Sequence, residues 1–212
     1  MKQPILLFGI TGGTGSIIAE NLLRKGYHVT AIARDPAKVS MQHPHLLIIK
    51  GDITQPETFA DQVHQHNIII SAVGNRSRKP TTLYSHGMKH ILQAMNNPDS
   101  KRLICISALP VETNSVMVFW QRWLIKYIVG KIFRHSYKDL LLMEKQLHGS
   151  PVNWTIVRPP QLKDTPATGQ YKVAIGTHLK KPFSISRADL AGYISDVIDK
   201  PETYRRTIEI AY

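Results

Sequence analysis

Gly9-Ile10-Thr11-Gly12-Gly13-Thr14-Gly15 follows directly on the apolar run Pro4-Ile5-Leu6-Leu7-Phe8 and leads directly into a helical pattern from Ile17 to Lys25. A strand that ends in glycines and turns into a helix builds a phosphate site. Small residues let the backbone approach a pyrophosphate, and the free N–H groups and dipole of the helix N-terminus favour the anion. A glycine triplet by itself is a weak signal. Here a second strand pattern, His28 to Ala33, completes the strand–helix–strand unit within the span of about 30 residues that the motif requires.

Outward from this unit the chain keeps alternating strand and helix. Leu46-Leu47-Ile48-Ile49-Lys50 reads as a short third strand, and Asn67-Ile68-Ile69-Ile70-Ser71-Ala72-Val73 as an apolar run suited to a sheet covered on both faces. Arg102 to Ser107 and Trp154 to Val157 are further runs of this type. Helical stretches lie between and after them: Thr58 to His66, Thr81 to Asn97, Tyr137 to His148 and Arg187 to Asp199. Strands alternating with helices predict right-handed βαβ units and a parallel sheet. The expected fold is a doubly wound α/β Rossmann-type domain, strand order 3-2-1-4-5-6, helices on both faces, with a small C-terminal substrate cap. With no repeat, low-complexity tract or linker, residues 1–212 are expected to form a single domain.

Pro110 to Arg134 breaks the pattern. Phe119, Trp120, Trp123, Tyr127 and Phe133 are mixed there with Arg122, Lys126, Lys131 and Arg134, and the charges interrupt the apolar stretches too often for a membrane span. A lid over a substrate pocket, a homodimer contact and a membrane-surface helix all remain open. The lid is favoured by position, because the segment follows the fifth parallel strand, whose C-terminal end frames the ligand crevice.

The 42% hydrophobic and 20% charged content is that of an ordinary globular chain. The formal charge of +12 favours anionic partners. No Lys/Arg block with interleaved aromatics is present, which argues against nucleic acid and for a basic surface around a polyanionic small molecule. The single Cys105 excludes an internal disulfide and lies in an apolar run. A reducing, cytoplasmic setting is expected, and the N-terminal residues lack a signal-peptide pattern. Ten His and one Cys show no ligand-type spacing, so no metal site is expected.

Taken with the glycine turn, Arg34-Asp35-Pro36 after the second strand, Gly51-Asp52 after the third and the string Trp154-Thr155-Ile156-Val157-Arg158-Pro159-Pro160 resemble the atypical short-chain dehydrogenase/reductases. The likeness is to the NAD(P)H-binding group of flavin reductase and biliverdin reductase B. It continues through Asp164 to Tyr171 and Ile185 to Leu190. The resemblance implies NADP(H) as cofactor. The residues agree: the second strand ends without an acid for a ribose hydroxyl, and Arg34, with Lys38 one turn on, suits a 2′-phosphate. Asp35 reads as the cap of the turn at Pro36. By the same likeness Gly9, Thr11, Gly12, Gly13, Thr14 and Gly15 hold the pyrophosphate turn, and Asp52 and Ile53 lie along the adenine. Ala72, Val73, Gly74 and Pro159 line the crevice, and Arg76 sits near the phosphates.

In the wider superfamily a Ser, a Tyr and a Lys act together, the lysine lowering the tyrosine pKa for proton transfer. Ser107 stands where the resemblance places the serine, with loop capping as its alternative role. Tyr127 and Lys131 have the Tyr-x-x-x-Lys spacing but fall in the 110–134 segment. Counting back from Glu144, the resemblance puts Leu140 at the lysine position and Ser136 at the tyrosine position. The usual Tyr/Lys pair is therefore expected to be missing, with Tyr137 as a substitute phenol. The implied activity is an NADPH-dependent reductase that passes hydride to a flavin-like or quinone-like acceptor stacked near Ser107, Ala108, Leu109, Pro160 and Gln161. The alternative is a non-catalytic NADP(H)-binding redox sensor or assembly protein.

Overall fold

The computed structural model describes residues 2–75, 79–109 and 130–212, and for 130–133 the backbone alone. Five strands buried along nearly their whole length form the middle of the sheet: Ile5–Phe8 (β1), Val29–Ala33 (β2), Ile68–Ser71 (β4), Arg102–Ile106 (β5) and Asn153–Arg158 (β6). The third strand, Leu46–Lys50 (β3), is an edge and more exposed. The six run parallel in the order β3-β2-β1-β4-β5-β6. Register is pinned by side-chain alternation: Ile5 and Leu7 enter one core, Leu6 and Phe8 the other. Slipping β1 by one residue would exchange both sets.

The helices are Gly13–Arg24 (α1), Ala60–Gln65 (α2), Leu83–Gln93 (α3), Gly130–His148 (α4) and Arg187–Asp196 (α5). Ile18 and Leu22 of α1 and Leu190 and Ile194 of α5 share the core with Ile5 and Leu7. Met88 and Ile91 of α3 and Met143 and Leu147 of α4 fill the opposite face. Helix ends differ from the sequence expectation for local reasons. The glycines themselves form the first turn of α1, so it starts at Gly13 rather than Ile17. Left-handed Asn97, at φ +47°, lies four residues beyond the end of α3 and begins a separate 3₁₀ turn at Pro98.

The C-terminal stretch does two things. Gln161–Lys163 (β7) and Ser184–Ser186 (β9) pair in parallel as a small ribbon beside the cleft, where a cap was expected. Arg206–Ala211 (β10) instead joins the main sheet parallel to β6, and Lys172–Ile175 (β8) closes its edge antiparallel to β10. These two strands were missed in the sequence because their runs are short and punctuated by charge.

Buried charges fix the elements that border the cleft. Glu144 of α4 and Arg158 of β6 form a buried ion pair, with Arg158 Nε donating to Glu144 Oε1 at 3.0 Å. Asp139 of α4 accepts from the backbone N–H of Tyr84 (2.8 Å) and Ser85 (3.2 Å) and from the Ser85 hydroxyl, so one helix caps the N-terminus of its neighbour. Lys101 donates to the carbonyls of Val63, His64 and His66, satisfying the end of α2. Arg102 donates to Ile198 and Val197 just beyond α5.

Candidate functional site

A cleft of about 750 Å³ opens across the carboxyl ends of β1 to β5, where an open α/β sheet places its ligands. Gly9 ends β1 in a positive-φ conformation (+94°), and a Cβ there would lie 2.5 Å from the Ala72 carbonyl oxygen. Only glycine permits that turn against β4. Gly15 presses on the turn itself: its Cβ would stand 2.1 Å from the Gly9 carbonyl oxygen. Gly12 caps α1 with no side-chain acceptor, and the first turn holds no acid. The N–H groups of Gly13, Thr14 and Gly15 donate to no described residue. They form an uncapped, positively polarised cradle of bare backbone, which fits a pyrophosphate.

Fourteen predicted residues come together on the cleft wall: Gly9, Thr11, Gly12, Gly13, Thr14, Arg34, Lys38, Asp52, Ile53, Ala72, Val73, Gly74, Ser107 and Ala108. Arg34 is exposed and makes no ion pair with a described residue, so its guanidinium is available to an anion. Asp35 stands at the cap position of the 3₁₀ turn Pro36–Lys38, but caps it only through its backbone carbonyl, which accepts from Lys38 N–H at 3.2 Å. Its carboxylate makes no cap hydrogen bond and instead pairs with Lys38 Nζ at 3.4 Å. Asp52 folds its own turn by accepting from Thr54 N–H (2.9 Å) and the Thr54 hydroxyl (2.8 Å).

Ser107 is 6% exposed, and its Oγ has no hydrogen-bond partner among the described residues. A loop-capping role is therefore not what holds it. Around it the wall is apolar: Ile106, Ala108, Val73, Leu83, Leu140 and Leu162. Leu140, four residues before Glu144, faces the cleft where the resemblance places the lysine.

Other expected positions lie elsewhere. Gly15 packs beneath the turn rather than on the wall. Leu109, Pro159, Pro160 and Gln161 do not line the cleft, and Leu109 N–H is held by the Pro159 carbonyl at 2.8 Å. Tyr137 packs into the core beside Leu140, where burial raises its pKa. Arg76 and Tyr127 fall outside the described residues, as does the side chain of Lys131 and most of the 110–134 segment.

Sequence reasoning missed several lining residues. Tyr84, in the first turn of α3, accepts from Asn75 N–H at 2.8 Å. Burial raises its pKa, the Asn75 hydrogen bond opposes that, and nearby Asp139 adds to it. Arg187, the first residue of α5, reaches the glycine turn at the start of the neighbouring α1. Little in the sequence marked it, because Asp189 in the same first turn already answers the helix dipole and a basic residue beside it calls for no outside anion. Behind it, Asp189 accepts from Thr168, Gly169, Ser186 and Tyr212 and so ties down the 164–170 loop. Burial alone would push its carboxyl up, but these hydrogen bonds bring it down to about 2.

A glycine cradle on a 3-2-1-4-5-6 parallel sheet is the arrangement of a dinucleotide-binding domain. The chain belongs to the NAD(P)H-binding family, whose model matches residues 9–201. It is 28% identical over 217 residues to an uncharacterized chloroplastic protein of Arabidopsis thaliana, covering 98% of this chain and 76% of that protein. It is 25% identical over 138 residues to the photosystem II assembly factor Ycf39 of Cyanophora paradoxa, covering 63% of this chain and 42% of that protein.

Among solved structures, a Streptococcus pneumoniae protein carrying the name NADH-flavin reductase superposes with a TM-score of 0.78 at 21% identity, over 99% of both chains. A Veillonella parvula short-chain dehydrogenase/reductase in complex with NADP superposes with a TM-score of 0.77 at 17% identity, over 100% of this chain and 95% of that one. At these identities the likeness speaks to the fold. Among the described residues no helix is long and apolar enough to cross a membrane, and no cluster of His, Cys, Asp and Glu is suited to a metal.

Proposed function

We propose that this protein is an NADPH-dependent reductase that passes hydride to a planar acceptor of the flavin or quinone class. The observation that carries the reading is the unpartnered Ser107 hydroxyl, buried in an apolar wall at the end of β5, in the same cleft as the glycine cradle. A buried hydroxyl without a partner costs about 1–3 kcal/mol, so a ligand that bonds to it gains by doing so. Bound NADPH supplies the hydride, and the chain's residues bind, orient and keep water out. Arg34 is the candidate for the 2′-phosphate, since it lies on the wall and has no competing anion. Leu140 in place of a lysine removes the ammonium that would lower a tyrosine pKa. That favours acceptors needing little acid assistance over alcohol oxidation or sugar epimerisation.

The same leucine favours a second reading, a nucleotide-binding redox sensor or assembly protein that turns nothing over. NADPH consumption followed by absorbance against flavin mononucleotide, riboflavin, small quinones and biliverdin separates the two, with binding measured in parallel by NADPH fluorescence. Turnover that falls in Ser107→Ala supports the reductase. Tight binding with no turnover on any acceptor supports the sensor. Equal affinity of wild type and Arg34→Ala for NADPH would sink the 2′-phosphate assignment.

A further inference from the structure

Arg187 stands out among the charges around the cleft because its ion pair among the described residues is to an exposed carboxylate. It is the first residue of α5, held in place by the Ser186 cap, whose hydroxyl accepts from Asp189 N–H at 2.9 Å. From there the side chain crosses to the glycine turn. Its Cδ and Nε lie 3.1 Å from where a Cβ on Gly13 would be. The side chain is 28% exposed, and its only ion pair among the described residues joins Nε to Asp164 Oδ1 at 2.9 Å. Asp164 is itself 82% exposed. No hydrogen bond from the guanidinium to any described residue accompanies that pair. A guanidinium presents five donors in a fixed fork matched to phosphate oxygens. Here that fork is set at the dipole-positive end of one helix and over the dipole-positive end of another. The start of α1, with no acid in its first turn, favours an anion there, whereas α5 already carries Asp189 in its own first turn, and a surface carboxylate in high dielectric is a weak substitute.

We propose that Arg187 is the side-chain clamp for the dinucleotide's pyrophosphate, and that Asp164 is the stand-in anion it gives up when the nucleotide arrives. The assignment rests on the cofactor reading above. The cradle amides of α1 take the pyrophosphate from one side and Arg187 closes over it from the other, bridging α5 to α1 through the ligand. Asp164 competes for the same guanidinium, so it weakens binding. It belongs to the stretch that Asp189 anchors at Thr168 and Gly169, so the exchange also loosens the start of that loop. Arg34 and Arg187 then divide the work: Arg34 reads the 2′-phosphate, and Arg187 selects dinucleotides over mononucleotides.

The test compares NADPH with adenosine 2′-monophosphate, which keeps the adenine and 2′-phosphate but lacks the pyrophosphate, by calorimetry on the full chain. In Arg187→Ala the NADPH dissociation constant rises about tenfold or more, as loss of a charge-assisted bidentate contact predicts. Affinity for adenosine 2′-monophosphate is unchanged. Arg187→Lys, which keeps the charge but not the fork, falls between. Asp164→Asn binds NADPH more tightly than wild type. Far-ultraviolet circular dichroism melts establish that each variant is folded. Equal losses for both nucleotides, or none for NADPH, would overturn the clamp. Unchanged or weaker NADPH binding in Asp164→Asn would overturn the exchange. Wild type that binds neither nucleotide would refute the cofactor reading and the clamp together.

Discussion

Gly15 offers the sharpest mechanical test of the cradle. A methyl group there would sit 2.1 Å from the Gly9 carbonyl oxygen and 2.7 Å from its carbon. Ordinary contact begins near 3.4 Å, so helix α1 and the turn after β1 must part by more than about 1 Å. Neither can yield cheaply. Gly9 is wedged against the Ala72–Val73 peptide, and α1 is packed through Ile18 and Leu22 into the core it shares with α5. Overpacking costs about 1–3 kcal/mol where side chains can give. Here the obstacle is backbone, so Gly15→Ala should lose about 3 kcal/mol. For a chain of this size that lowers Tm by about 6–12 °C. Because the displaced amides belong to the nucleotide cradle, NADPH affinity falls about tenfold or more as well. Gly74→Ala is the control: it is on the cleft wall, yet no described residue lies within 4 Å of its added Cβ, and it should change stability by less than about 0.5 kcal/mol. The assay is a circular dichroism melt with a fluorescence titration of NADPH. Gly15→Ala melting within about 1 °C of wild type would refute the packing argument.

Three further outcomes follow from buried groups. Ser107→Ala removes an unpaired buried hydroxyl, so in urea titrations without ligand it should be as stable as wild type or up to about 1 kcal/mol more stable; a loss above that would reveal a partner for Oγ. Asp189 has its folded pKa depressed from 3.8 to about 2, so about 2 kcal/mol of stability is present above about pH 4 and is lost as pH falls through 2. Asp189→Asn should forgo that stability at neutral pH, and its deficit against wild type should shrink on acidification; a deficit independent of pH would count against it. Glu144→Leu removes the buried carboxylate that the Arg158 guanidinium pairs with and should cost about 3–5 kcal/mol, with Arg158→Met in the same chain restoring much of it; a double variant no more stable than the single would refute the pairing.

The sheet order was legible because the central strands are predominantly apolar runs, and β1, β2 and β5 lead directly into Gly9, Arg34 and Ser107 on the cleft wall. The nucleotide half of the cleft was legible for the same reason: its residues follow directly on those strands. What escaped was carried by long-range contacts. β10 joins β6 across an intervening ribbon and helix, and its buried Glu209 breaks the apolar pattern while satisfying His178 (2.7 Å) and the Leu179 N–H (2.8 Å). Arg187 and Tyr84 approach the cleft from helix N-termini remote in sequence from the glycine turn. At the substrate end the resemblance alone put Pro159, Pro160 and Gln161 on the wall. The main chain instead turns into β7, leaving Leu162 to face the cleft.

The chain has one cysteine, and Cys105 is 1% exposed in the middle of β5, where burial pushes the thiol well up and Glu144 adds to it. Such a thiol reacts only in molecules whose central sheet has opened. Alkylation of Cys105 is thus a single-site clock for the opening of the sheet, free of any second thiol signal. Any nucleotide that binds the closed form must slow that clock in proportion to its occupancy. One labelling series, run with and without candidate ligands, ranks their affinities without requiring any of them to react.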